Sequence, residues 1–265
     1  MRPLFALAAL AAVTVTAAVA PAAVQTKPVE YQFDGVTFVG LMAYDDAATG
    51  KRPGVLVVHE WWGLDDFAKG RAAELAKMGY VAFACDMYGA GKVVTHPDDA
   101  NKMATTVRKN AEVWRGRAKA ALDVLAKNEQ VDAGKLAAIG YCFGGSTALQ
   151  LAYSGADLKA VATFHAALPT PTPEQAKAIK ARILVSHGAD DKFIKPEAIA
   201  AFKAALKAAD VRLQFDEYPG AVHSFAVKEA SDKKIEGMAY NADADRKSWA
   251  AMTAMFEKAF GPAMK

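Results

Sequence analysis

The sequence predicts an α/β fold, a mostly parallel central sheet with helices on both faces. Short, almost wholly apolar runs alternate with stretches whose apolar residues recur at helical spacing. A strand covered on both faces needs no polar side, so such runs read as buried strands. Strand alternating with helix gives parallel pairs, because each helix carries the chain back to start the next strand alongside the last. No linker is long enough to divide the chain into two domains, and no internal repeat is present.

The elements follow in order. Val29 to Asp34 and Val36 to Tyr44 alternate apolar and polar residues, split at Asp34-Gly35, and read as a hairpin at one sheet edge. After a loop from Asp45 to Pro53, Gly54-Val55-Leu56-Val57-Val58-His59 is the first buried strand. Helical spacing runs from about Phe67 to Met78 and stops at Gly79, a residue suited to a helix C-terminus. Tyr80 to Asp86 is the next strand. Helical sequence from Pro97 to Asn128 leads to strand Lys135 to Tyr141, helix Gly144 to Ser154 and strand Lys159 to Phe164. A Pro-rich loop (Leu168 to Pro173) and a short helix precede strand Arg182 to Ser186 and helix Pro196 to Ala209. Strand Arg212 to Tyr218 and a last helix from about Asp243 to Phe260 complete the pattern.

The first segment stands apart from the fold. Arg2, an uncharged Ala/Leu/Val-rich run from Leu4 to Ala20 and the small-x-small pattern Ala20-Pro21-Ala22 read as a secretory signal peptide over residues 1–22. Residues 23–265 are then a single domain, exported to the periplasm or secreted, with no stable membrane insertion after cleavage. A chain of 265 residues, 53% hydrophobic and 23% charged, buries a core without metal or disulfide staples. Its 32 basic and 29 acidic residues are interspersed, and no basic tract points to nucleic acid.

In parallel sheets ligands bind beyond the carboxyl ends of the strands. His59-Glu60, Cys142, His165, His187 with Asp190-Asp191, and His223 all fall there. Gly140-Tyr141-Cys142-Phe143-Gly144-Gly145 lies where a strand turns into a helix and has the form of a nucleophile elbow, with Cys in place of Ser. The turn is so tight that a Cβ two residues before or after the nucleophile would strike backbone. Gly188-Ala189-Asp190-Asp191-Lys192-Phe193 and Gly220-Ala221-Val222-His223-Ser224-Phe225 follow the next strands in the order nucleophile, acid, base. A cysteine needs a base to take its proton, and the base needs a carboxylate on its other nitrogen; Asp190 or Asp191 could serve.

Together with Val58-His59-Glu60-Trp61-Trp62-Gly63, these segments resemble the dienelactone hydrolase family of α/β-hydrolases, from about Gly35 to the C-terminus. The resemblance implies that Cys142 is the nucleophile, His223 the general base and acid, and Asp191, third after Gly188, the orienting carboxylate. It implies that Glu60 sits by the thiol and keeps the resting cysteine protonated, since a nearby negative charge opposes thiolate. It also implies a strand order in which the strands bearing Cys85 and Cys142 flank the Val55 to His59 strand. That leaves their Cα atoms beyond the ~7 Å limit for a disulfide, and both thiols free.

The backbone N–H groups of Phe143 and Trp61 are the expected oxyanion donors. Trp61, Trp62, Tyr88, Phe143 and Phe225 are expected to form an aromatic pocket with His165 lining the cleft, so that Trp62, Tyr88, His165 and Phe225 contact substrate. His59 and His187 are expected to bond to backbone. No H-x-x-x-H or H-x-H pair is present, so neither metal nor cofactor is expected. The sequence departs from the dienelactone enzymes at Val227 and Ala90, where arginines would hold a substrate carboxylate; Lys92 is close but cannot supply a bidentate fork. The expected activity is hydrolysis of a carboxylic ester or lactone, neutral or differently placed from dienelactone, by a monomer, through a thioester acyl-enzyme. A thioesterase or small-peptide hydrolase on the same scaffold, or a non-catalytic binding relative, are the alternatives.

Overall fold

The computed structural model describes residues 24–261. The leader read over residues 1–22 lies outside the described residues. The strands are β1 (Val24–Phe33), β2 (Val36–Asp45), β3 (Arg52–Val58), β4 (Val81–Cys85), β5 (Val131–Tyr141), β6 (Ala160–Phe164), β7 (Arg182–Gly188) and β8 (Leu213–Tyr218). They form one sheet in the order β1-β2-β4-β3-β5-β6-β7-β8. β1 and β2 pair antiparallel, as do β2 and β4, and every other pair is parallel. The hairpin turns at Asp34 (φ +50°) and Gly35 (φ +72°), the two left-handed residues that match the twist of a two-residue hairpin.

The helices are α1 (Asp66–Lys77), α2 (Pro97–Arg108), α3 (Ala111–Ala126), α4 (Phe143–Tyr153), α5 (Pro173–Ala178), α6 (Pro196–Ala208) and α7 (Ala242–Phe260). Alternation along β3 divides the core into two layers. Leu56 and Val58 face α3, α4 and α6, with Trp114, Leu149 and Phe202. Val55 and Val57 face α1 and α7, with Leu75, Met252 and Phe256. Burying both faces of the central strands removes their apolar side chains from water at about 25 cal/mol per Å², the main driving force for this layered arrangement.

Three departures from the sequence reading have local causes. The helical stretch from Pro97 to Asn128 is two helices, because the Asn110 side chain accepts from the N–H groups of Glu112 (3.0 Å) and Val113 (3.1 Å) and so starts α3 afresh. β5 begins at Val131, because Val131 and Asp132 pair with Arg52 and Pro53 before a register shift at Pro53/Gly54. A 3-10 helix, Lys228–Lys233, carries no apolar period by which it could be read.

β4 and β5 lie on opposite sides of β3, so Cys85 at the end of β4 and Cys142 after β5 are separated by a strand, and both cysteines are free. Adjacent strands stand about 4.8 Å apart, so two steps exceed the reach of a disulfide.

Candidate active site

Cys142 occupies the one-residue corner between β5 and α4 with φ +49° and ψ −111°. A Cβ on Gly140 would lie 2.1 Å from the Gly144 carbonyl oxygen, and one on Gly144 2.2 Å from the Val58 oxygen, so the two flanking glycines are required by space. Cys142 is partly exposed at the start of α4, whose first N–H groups have no partner within the helix. Neither the Phe143 nor the Trp61 N–H has a protein acceptor among the described residues, so both are free for an oxyanion.

His223 follows β8. Its backbone N–H donates to the Gly237 carbonyl (3.1 Å) and its carbonyl accepts from Ala239 (3.1 Å), which moors it to the segment before α7. Its Nδ1 is 2.8 Å from Asp191 Oδ2, while Asp191 Oδ1 accepts the Phe193 N–H at 2.9 Å. Asp191 is buried and Asp190 is exposed, which decides between the two carboxylates. Burial presses the His223 pKa down, but the Cys142 sulfur and the Asp191 carboxylate outweigh it and raise it to about 10. For Asp191, burial pushes up, and the His223 hydrogen bond and charge overcome it, leaving the carboxyl below its ordinary value. The arrangement can hold an imidazolium between sulfur and carboxylate, which is what activation of a thiol requires.

Glu60 follows β3 by two residues and is buried beside this pair. Its Oε1 accepts from His165 Nε2 and from the Ser224 hydroxyl, each at 2.9 Å. Burial pushes the Glu60 carboxyl up, but His165, His223 and Ser224 together bring it below the ordinary range. Burial lowers His165 in spite of Glu60. A neutral His165 therefore donates to an ionised Glu60. The resemblance implied a carboxylate engaged with the thiol, whereas here it is engaged with His165 and Ser224, and no hydrogen bond joins it to Cys142 among the described residues.

Other expectations are corrected by packing. His165 does not line an open cleft: it is fully buried, with its ring edge-on to His223 (centroids 5.2 Å apart) and to Phe225 (5.4 Å). Phe225 is also fully buried, against Tyr218 and His165, and so supports the site from beneath. The Phe143 ring is core, stacked between Trp114 and His59. Tyr88 is buried, and its hydroxyl donates to the Trp61 carbonyl (2.8 Å), which fixes the segment after β3. Trp62 lines a cavity of about 590 Å³ whose wall includes Glu60, Asp65, Arg71 and Tyr240. His59 bonds to backbone as expected, Nδ1 to the Glu60 carbonyl and Nε2 from the Met87 N–H (3.1 Å). His187 does not: its Nδ1 is buried without a partner among the described residues. Val227 is buried, so neither it nor Ala90 provides a cation.

Sequence reasoning missed three residues. Ser224 and Phe193 lie inside quoted motifs, next to assigned residues, and that adjacency was the available signal. Arg71 had none. From α1 it reaches Glu74 (2.8 Å), the Ala226 carbonyl (3.1 Å) and Asp245 of α7, and so ties the segment after His223 to two helices. Three of the non-glycine residues with left-handed φ, Cys142 (+49°), His165 (+40°) and Ser224 (+56°), belong to this one site.

Comparison with known proteins agrees with this fold. The model of the dienelactone hydrolase family matches residues 38–260. Protein usf of Aquifex pyrophilus is 29% identical over 208 residues, covering 77% of this chain and 88% of its own. The solved structure of m3DLH is 40% identical, covers 89% of this chain and 99% of its own, and superposes with a TM-score of 0.87. That of a dienelactone hydrolase-like promiscuous phosphotriesterase from metagenomic libraries is 38% identical, covers 90% and 100%, and has a TM-score of 0.88. With the family match spanning nearly all of the sheet and every segment just described, the chain belongs to the dienelactone hydrolase family and is a carboxylic ester hydrolase of the α/β-hydrolase fold.

Proposed function

We propose that the protein hydrolyses a neutral carboxylic ester or lactone through a Cys142-His223-Asp191 triad and a thioester acyl-enzyme. The observation that carries this is the 2.8 Å pair of Asp191 Oδ2 and His223 Nδ1 placed behind the strained Cys142 corner. With Nδ1 held by Asp191, Nε2 is the nitrogen available to the sulfur. The thiol proton passes to His223, sulfur attacks the ester carbonyl, and the oxyanion is taken by the N–H groups of Trp61 and Phe143. Collapse breaks the bond to the alcohol oxygen, which leaves with the proton from His223. Water, deprotonated by His223, then attacks the thioester, and release of the acid returns the thiol. Glu60, through His165 and Ser224, positions the loop that carries the base.

Residues 90 and 227 supply no cation, which supports a substrate without a carboxylate at those points. The leader over residues 1–22 supports export to the periplasm or beyond, with the remaining chain acting as a monomer. The test is hydrolysis of p-nitrophenyl acetate by wild type and Cys142→Ala, with intact-mass analysis of acid-quenched protein. The expected result is a loss of at least ~10³-fold and an acetyl adduct on wild type that Cys142→Ala lacks. Retention of turnover within tenfold in Cys142→Ala overturns the proposal.

A further inference from the structure

We infer that Phe193 forms the subsite for the alcohol part of the ester, and that the enzyme favours esters of aromatic or bulky apolar alcohols over methyl esters. The inference rests on the triad proposed above. Two aromatic rings stand edge-on against the His223 imidazole, His165 with centroids 5.2 Å apart and Phe193 with centroids 5.1 Å apart. His165 is sealed from solvent and its Nε2 is committed to Glu60. Phe193 is 54% exposed, more than Val36 or Val93, the other large hydrophobic residues at the surface among the described residues.

An exposed phenylalanine is unremarkable where its position is arbitrary. This one is held by the groups that hold the base. Its N–H donates to Asp191, the carboxylate that orients His223. Its ring lies against Gly237, where an added Cβ would stand 3.1 Å from Phe193 Cε2, and the Gly237 carbonyl accepts the His223 N–H. The chain thus keeps a large apolar ring beside the imidazole and leaves its outer surface to water.

The chemistry says which part of the substrate meets that ring. In the step that expels the alcohol, the leaving oxygen takes a proton from His223 and must lie within hydrogen-bond reach of it. The first carbons of the alcohol then lie beside the imidazole, and the apolar surface open to them there is Phe193. An aromatic or bulky alkyl group removes that surface from water and adds ring-to-ring contact, whereas a methyl group is too small to cover it.

The experiment compares kcat/KM for benzyl acetate and methyl acetate, whose alcohols have similar acidity, in wild type, Phe193→Ala, Phe193→Leu and Cys142→Ala. Phe193→Ala is expected to lower kcat/KM for benzyl acetate about tenfold and to leave methyl acetate within about twofold, with Phe193→Leu in between. Equal losses on both esters would make Phe193 a mere support for His223, and no loss on either would remove it from the site; each overturns the inference. Cys142→Ala separates this from the proposal beneath it. If it retains turnover of both esters, the triad fails and the subsite falls with it. If it abolishes turnover, the triad stands and the Phe193 variants alone decide the subsite.

Discussion

Replacing Asp191 with Asn tests the base and its orientation together, because a neighbouring hydrogen bond dictates how the new amide must sit. The Phe193 N–H donates to Oδ1 and His223 Nδ1 contacts Oδ2. An asparagine keeping the first bond turns its NH₂ toward Nδ1, which must then accept, and the ring proton moves to Nε2, the nitrogen meant to receive the thiol proton. Flipping the amide restores Nδ1–H but sets NH₂ against the Phe193 N–H, a donor facing a part-buried donor, at about 1–3 kcal/mol. That alone confines the productive orientation to one molecule in about 5–150, at 1.4 kcal/mol per tenfold. Loss of the carboxylate's attraction for the imidazolium adds to it, so Asp191→Asn should reduce kcat/KM for p-nitrophenyl acetate between about 10²- and 10⁴-fold. Thermal unfolding of both proteins establishes that the fold is intact. Asp190→Asn, at an exposed position, should stay within about twofold. A loss below tenfold in folded Asp191→Asn, or a larger loss at Asp190, would refute the assignment.

Two further predictions follow from burial. Glu60→Leu strands the His165 Nε2–H and the Ser224 hydroxyl, two buried donors sharing one acceptor, and should lower stability in urea by about 2–5 kcal/mol, while Glu60→Gln, which can still accept, should cost clearly less; equal effects would mean that the carboxylate is not their acceptor. With Ellman's reagent, native protein should expose one reactive thiol, Cys142, and denatured, unreduced protein two, because Cys85 is fully buried and burial drives its pKa far upward; no thiol on denaturation would show a disulfide.

The mostly parallel sheet and the placing of Cys142, Asp191 and His223 beyond its strand ends were legible because each is written locally. Gly54 to Val58 is short, apolar and Val-rich, as a strand covered on both faces is, and Gly140-x-Cys142-x-Gly144 encodes a turn whose spatial demands the glycines satisfy. The surroundings of Glu60 were not legible. Its partners are 105 and 164 residues away in sequence, and they meet it only because β3, β6 and β8, none of them adjacent, all end on the same side of one sheet. The aromatic residues were misjudged for a related reason: composition says that Phe143 and Phe225 are apolar and near the site, while the side of the backbone that each ring takes is fixed by packing against Trp114 and His165. The break at Asn110 was missed because the sequence on both sides favours helix, and only the side-chain cap divides it.

The left-handed backbone at Cys142, His165 and Ser224 has a consequence for improving this protein. Each such residue costs about 1–2 kcal/mol relative to glycine, held in place by the rest of the fold. At Ser224 the expense is recoverable in principle: a glycine there would relax the chain but would surrender the hydroxyl that Glu60 accepts. Selection for thermal tolerance alone, with no demand for turnover, should therefore reach the partly exposed Cys142 early and yield a sturdier, idle protein, while His165 and Ser224 stay because the buried Glu60 depends on them. A screen that requires both properties should instead leave all three untouched and collect its gains elsewhere, for example on the exposed faces of α2 and α6, where nothing in the site depends on the side chain.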